Sequence, residues 1–260
     1  MGSPFIVAYL LWRGAKDRAY WRSMPERFGW LSFQPTAPGG IWLHAVSVGE
    51  VVAALGLIGE LRSAFPGTPV YVSVSTLAGR KLADQKLKQV ADGIFYVPLD
   101  FVFSVRRVFR LLQPSLVVVM ETEIWPNLWR EAKHFGAQLV VANGRISDRT
   151  LPKYQRLRWF FQHVLTVPDC ILAQSRQDLE RYLSLGAPRE TTENAGNLKY
   201  DFDVSGLVAP EDVRRFIENL GAEKILIAAS TMPGLDKSDV DEDDAVLGAW
   251  PKWAALRGGC

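Results

Sequence analysis

Residues 115–127 read SLVVVMETEIWPN, an apolar run that stops abruptly on Glu121 and Glu123 and then meets Pro126. A strand with one face in water alternates apolar and polar residues. A run that is apolar throughout suits a strand covered on both sides, as in parallel sheets. Pro126 fits the first turn of a following helix, where its missing N–H costs nothing. The stretch therefore reads as a buried strand feeding a helix. Outward from it, short β-branched runs and helical stretches alternate from residue 40 to about residue 203. Strands are expected at 41–46, 69–75, 94–97, 115–120, 137–142, 169–173 and 191–195. Helical patterns fill 50–65, 78–90, 101–113, 125–135, 151–165 and 175–185. In the first of these, Val51, Ala54, Leu55, Ile58, Leu61 and Phe65 share one face at 3.6-residue spacing. Such repetition predicts an α/β fold: a doubly wound, Rossmann-like domain with a parallel sheet and ligands at the carboxyl ends of the strands.

The rest of the chain sets limits. At 260 residues it is one large domain, or one domain with part of another. With 48% apolar and 22% charged residues, it is not a disordered chain. Thirty Lys+Arg against 28 Asp+Glu leaves +2, too balanced for a protein whose main work is wrapping nucleic acid. Cys170 and Cys260 form neither a disulfide framework nor a zinc spacing, and His44, His134 and His163 have no paired spacing.

Near the N-terminus, residues 5–12 (FIVAYLLW) precede Arg13, Lys16, Arg18, Arg22 and Arg27. Eight residues make about 12 Å of helix, too short to cross a hydrocarbon core. Basic residues follow the apolar run, the reverse of a signal peptide. The segment is either a helix packed on the protein's own core or an interfacial helix on a lipid surface. At the other end, 204–222 reads as a connector with a short helix at 210–220. EKILIAAS (223–230) reads as a new buried strand. The acidic stretch DKSDVDEDD (236–244) has Asp244 and Trp250 where a calcium loop needs Gly and Glu, so it reads as a solvated loop.

Candidate chemistry collects at expected strand ends. HAVSVGE (44–50) takes a strand into a helix. Gly49 lets a ligand or a second backbone approach, and Glu50 suits a general base. Ser47 and Glu50 also form a capping box, with Ser47 on the third helical amide and Glu50 reaching back. A carboxylate so held has a lowered pKa, and the two roles compete. Glu121 and Glu123 are either a paired acidic site or helix-start decoration. Asn143-Gly144 carries turn chemistry. Arg145 and Arg149 suit phosphate or carboxylate, or face solvent. Lys199 in GNLKY (196–200) meets an anionic substrate or only water.

In this order RSMPERFG (22–29), HAVSVGE, METEIWPN (120–127), NGRISDR (143–149), GNLKYD (196–201) and STMPG (230–234) resemble the 3-deoxy-D-manno-octulosonic acid (Kdo) transferases of lipopolysaccharide synthesis. The resemblance implies a two-domain GT-B glycosyltransferase on the cytoplasmic face of the bacterial inner membrane. It would move Kdo from CMP-Kdo to the lipid A precursor (lipid IVA) with inversion, without metal or cofactor. Glu50 would be the base, with Ser47, Gly49, Glu121, Glu123, Asn143, Arg145 and Lys199 binding substrate. The organisation it implies is a membrane-associated segment (1–30), an acceptor-binding Rossmann-like domain (31–205), and a linker with the truncated start of a donor domain (206–260). The family's STHxGE segment reads Ser230-Thr-Met-Pro-Gly-Leu235 here. Two other functions fit the residues: a non-catalytic module that binds the lipid A precursor, or a transferase of the same architecture using another nucleotide sugar.

Overall fold

The computed structural model describes residue 21 and residues 23–201, 209–221, 228, 231 and 241–257, with side chains to 251. The apolar N-terminal segment lies outside these residues, as do nearly all of the strand expected at 223–230 and the segment at 230–234. Every strand expected before residue 203 forms. They are β1 (Ile41–His44), β2 (Val70–Val74), β3 (Gly93–Tyr96), β4 (Leu116–Met120), β5 (Gln138–Gly144), β6 (Cys170–Ala173) and β7 (Thr192–Asn194). They make one parallel sheet in the order β3-β2-β1-β4-β5-β6-β7. The helices that precede and join them are α1 (Met24–Arg27), α2 (Val48–Ala64), α3 (Leu77–Lys86), α4 (Val102–Leu112), α5 (Pro126–His134), α6 (Leu151–Arg156), α7 (Arg158–Val164) and α8 (Arg176–Ser184). The single helical pattern at 151–165 is thus two helices, broken at Leu157.

Both faces of the sheet are covered, which is why its strands read as unbroken apolar runs. Trp42, Val117, Val119 and Leu139 pack one face against Val105 and Phe109 of α4, Leu128 and Trp129 of α5 and Phe161 of α7. Ile41, Leu43, Val70, Val72 and Val118 pack the other against Val51, Ala54 and Ile58 of α2 and Ala83 of α3. Fully burying each large side chain is worth roughly 1.5–3 kcal/mol, so these two layers dominate the folding energy.

The chain moves from β1 outward to β2 and β3, then returns through α4 to lay β4 on the far side of β1. Strand order therefore reverses between β1 and β4, and a crevice opens there at their carboxyl ends. Residues 23–29 are fastened near that rim. Arg27, 4% exposed, donates to the Ser75 carbonyl (2.7 Å) and lies 4.6 Å from the Tyr96 ring centre. Glu26 accepts from Tyr96 N and from Arg80. Gly29 has φ +86°, and a Cβ there would stand 2.5 Å from the Ser104 carbonyl oxygen, so only glycine fits.

Backbone contacts divide the chain into two compact units, Met1–Asp203 and Val204–Cys260. In the second, α9 (Glu211–Leu220) and α10 (Glu242–Arg257) are described. Helix α9 matches the helix expected at 210–220. Part of the acidic stretch read as loop is helical: Glu242, Asp243 and Asp244 form the first turn of α10, where negative charge faces the helix's positive end.

Candidate active site

Ser47 caps α2: its backbone is extended and its Oγ accepts from Glu50 N at 3.4 Å. The Glu50 carboxylate turns back over the same helix start. Oε2 accepts from Val46 N (2.8 Å) and Oε1 from the Ser47 hydroxyl (2.8 Å). This is the expected capping box shifted by one residue, since Glu50 reaches Val46 rather than the Ser47 amide. The expectation of a lowered pKa is overturned. Glu50 is 5% exposed, and burial pushes its carboxyl up to about 7. The bonds from Val46 and Ser47 pull it down, while the charges of Glu121 and Glu123 push it further up. Desolvation outweighs the cap, as it does for carboxyls held in poorly solvated pockets.

Glu121 and Glu123 leave the carboxyl end of β4, directly across the crevice from β1. Glu121 sits at φ +55°, a left-handed conformation that a residue with a Cβ adopts at a cost of about 1–3 kcal/mol. Its Oε1 pairs with Lys199 Nζ at 2.7 Å. Glu123 Oε2 accepts from Trp125 Nε1 (2.7 Å), and burial together with the Glu121 charge holds its carboxyl above the usual carboxylate range.

Asn143 is the register neighbour beyond Met120↔Ala142, also at φ +55°. The Asn143-Gly144 pair therefore does not make a turn. It stays within β5 and produces the register shift against β6, because the pairing on both sides holds the strand through a bulge. Asn143 is 2% exposed, and its Oδ1 accepts from Leu198 N (3.1 Å). That bond, with Asn197 Oδ1 accepting from Lys199 N, folds the loop after β7 so that Lys199 crosses to Glu121. Gly49 faces this cation: a Cβ at Gly49 would lie 4.0 Å from Lys199 Nζ and from Ser47 Oγ.

The structure thus brings Ser47, Gly49, Glu50, Glu121, Glu123 and Lys199 together at the crevice, with Asn143 beneath them as a scaffold. Arg145 is exposed; its carbonyl accepts from Thr122 Oγ1, and its guanidinium has no hydrogen bond or ion pair among the described residues.

Several contributors were not legible as site residues. His44 is fully buried with Nδ1 2.9 Å from Ser73 Oγ, and burial lowers its pKa to about 4. Its ring meets Trp125 edge-on at 5.6 Å, so it supports the indole that holds Glu123. Tyr182, wholly buried on α8, places its hydroxyl 3.4 Å from the Glu121 carbonyl. The one available signal was that His44 opens the HAVSVGE motif; Tyr182 lies outside every quoted motif. Among the described residues no cluster of His, Cys, Asp and Glu has a metal-binding arrangement, and no helix is long and apolar enough to cross a membrane.

Known proteins resemble the chain in sequence and in fold. The family model described as 3-deoxy-D-manno-octulosonic-acid transferase (kdotransferase) matches residues 22–202. A 3-deoxy-D-manno-octulosonic acid transferase of Haemophilus influenzae is 32% identical over 97% of this chain and 59% of that protein. A bifunctional glycosyltransferase/methyltransferase of Fusobacterium nucleatum is 34% identical over 77% of this chain and 32% of that protein. The chain therefore spans a little over half of the first of these relatives and about a third of the second. The solved structure of Anabaena HepE in complex with UDP and glucose superposes with a TM-score of 0.51 at 16% identity, over 70% of this chain and 50% of that one. That likeness is one of fold.

Proposed function

Given that the chain belongs to the 3-deoxy-D-manno-octulosonic-acid transferase family, we propose that it is the acceptor-side half of a transferase that moves Kdo from CMP-Kdo to a lipid A precursor. The reaction runs at the crevice between β1 and β4, on the cytoplasmic face of the inner membrane. Glu50 is the base. Its carboxylate takes the proton of an acceptor hydroxyl while that oxygen forms a bond to the anomeric carbon of Kdo. The bond from that carbon to the CMP phosphate oxygen breaks, and CMP leaves with the electron pair. Attack from the face opposite the leaving group inverts the centre. The observation that carries this reading is a carboxyl at the strand-order reversal with its pKa raised to about 7, where a base is half available at neutral pH.

Charge at the rim fits the substrates. Glu121 holds the Lys199 ammonium next to Gly49, where it can meet an anionic group. Arg145 and Arg149, both exposed in the segment after β5, are further cations. Gly49 leaves the space between Lys199 and the helix start without a side chain.

The test is transfer of Kdo from CMP-Kdo to a lipid A precursor by the complete transferase of which this chain is the acceptor-side half, with Glu50 and with Glu50→Gln. Loss of a positioned base lowers the rate by about 10²–10⁴-fold. Equal turnover by the two proteins removes Glu50 as base. The alternative, a lipid-binding module without turnover, makes a different prediction. It requires saturable binding of the lipid with no binding of CMP by titration calorimetry.

A further inference from the structure

Beyond the crevice, between the start of α5 and helix α7, lies a groove of about 600 Å³, within the range of small-molecule sites. Trp159, Phe160, Val164 and Val167 line it from the α7 side, and Pro126, Asn127 and Arg130 from α5. It begins directly after Glu123 and Trp125 in the chain. Its polarity is divided. The α7 side is apolar and aromatic, and Trp159 stands 67% exposed there, a large indole left in solvent. The polar contribution comes from Arg130, His163, Asn127 and Asp100. Arg130 has a side chain 60% exposed and gives one nitrogen to Glu131, at 3.2 Å. Glu131 is more closely held by Arg106, at 2.7 Å. His163 donates from Nδ1 to the Trp159 carbonyl, and its ring makes no other hydrogen bond among the described residues.

Asp100 is the one acid in the lining. Its oxygens accept from Asn127 N (3.1 Å), Leu128 N (2.8 Å) and Asn127 Nδ2 (3.4 Å), so it caps α5 from a neighbouring loop. Its oxygens are occupied by the start of α5, while Arg130, with one nitrogen on Glu131, keeps its other donors exposed.

We propose that this groove binds a single aliphatic chain carrying an anionic group, with the chain along Trp159, Phe160, Val164 and Val167 and the anion at Arg130 and His163. The apolar wall selects the chain, and the exposed donors of Arg130 select an anionic group. A bare anion would leave the indole in water, and an uncharged chain would leave the exposed donors of Arg130 unused. The assignment rests on the lining of the groove. Its extension, that the chain is one acyl chain of the acceptor, rests on the transferase reading.

The probe is dodecyl phosphate below its micelle concentration, titrated calorimetrically into the full chain. Saturable one-to-one binding is expected, weakened at least about fivefold in Trp159→Ser and at least about threefold in Arg130→Gln. Lys86→Gln, an exposed change on α3, should leave it intact, as should Glu50→Gln. Both groove residues are exposed, so circular dichroism should show both variants folded. Inorganic phosphate binding as tightly as the amphiphile, or dodecyl maltoside doing so, overturns the proposal. So does affinity that Trp159→Ser leaves unchanged. Binding seen only with phosphatidylglycerol vesicles, and equal in wild type and Trp159→Ser, would make the face a membrane contact instead. Failure of the groove leaves the Glu50 transfer test untouched, and retained dodecyl phosphate binding by a transfer-inactive Glu50→Gln separates the two sites.

Discussion

Replacing Glu50 by Gln removes a titrating group while keeping both bonds that hold it. The amide oxygen can still accept from Val46 N, and the amide nitrogen can donate to Ser47 Oγ, both now at 2.8 Å from the carboxylate. In the folded protein Glu50 keeps its proton until about pH 7, against 4.5 for an ordinary glutamate. Between those values the folded state binds more protons than the unfolded one, so wild-type stability falls as pH rises, and the loss is complete above pH 7. At about 1.4 kcal/mol per pH unit the loss is at most about 3 kcal/mol, and residual solvent contact reduces it to about 1–2 kcal/mol. His44 has the opposite slope. Lowered from 6.5 to about 4, it makes the folded state bind fewer protons, so stability is lost as pH falls through that window. The two overlap and conceal each other in the wild-type profile, but His44 is common to both proteins and cancels in their difference. Urea unfolding of both, from about pH 4 to about pH 8.5, should therefore show Glu50→Gln gaining about 1–2 kcal/mol on the wild type as pH rises, then levelling off. The ¹³C resonance of the Glu50 carboxyl should titrate near pH 7. A difference independent of pH, or a midpoint below about 5, would refute the account of burial outweighing the cap.

Ser47→Ala should cost about 1 kcal/mol of stability through the lost cap and raise the Glu50 midpoint further, because the hydroxyl that favours the charged form is gone; carboxyl titration by NMR checks both the existence and the sign of the change. Glu121→Gly relieves the left-handed strain at φ +55° while losing the half-exposed pair with Lys199, so stability should change by less than about 1 kcal/mol while transfer collapses. A destabilisation above about 2 kcal/mol in chemical unfolding would show that Glu121 serves the fold first. Ser73→Ala leaves Trp42 Nε1 without its buried acceptor and His44 Nδ1 with only the Ser73 carbonyl at 3.3 Å, and should lower stability by about 1–3 kcal/mol.

The sheet was legible because its strands are covered on both faces. LVVVM at 116–120 has no polar residue to confuse with a half-exposed strand, and the same holds for Val70–Val74 apart from the buried Ser73. What the chain could not show locally were properties set by distant partners. Asn143-Gly144 has the composition of a turn, yet pairing with β4 and β6 keeps it in the sheet and turns its left-handed φ into a bulge. The break at Leu157 carries no glycine or proline of its own, so periodicity alone ran α6 and α7 together. His44 and Tyr182 support the site through Trp125 and the Glu121 carbonyl, contacts that span 81 and 61 positions of sequence.

Glu50 is the sharpest case of that divide, and it alters the argument about its role. In the sequence, cap and base compete, because a carboxylate tied to its own helix start is a poor proton acceptor. In the structure the competition is what sets the value. Burial and the charges of Glu121 and Glu123 push the carboxyl upward, and the bonds from Val46 and Ser47 return it to about 7. Without the cap it would be protonated at neutral pH and have no site for an acceptor's proton. Without burial it would be ionised but too weakly basic to draw the proton away. General-base catalysis is most effective when the pKa lies near the working pH. On the proposed reading, then, the capping residues tune the base, and the short sequence Val46-Ser47-Val48-Gly49-Glu50 supplies both the group and the bonds that set its strength.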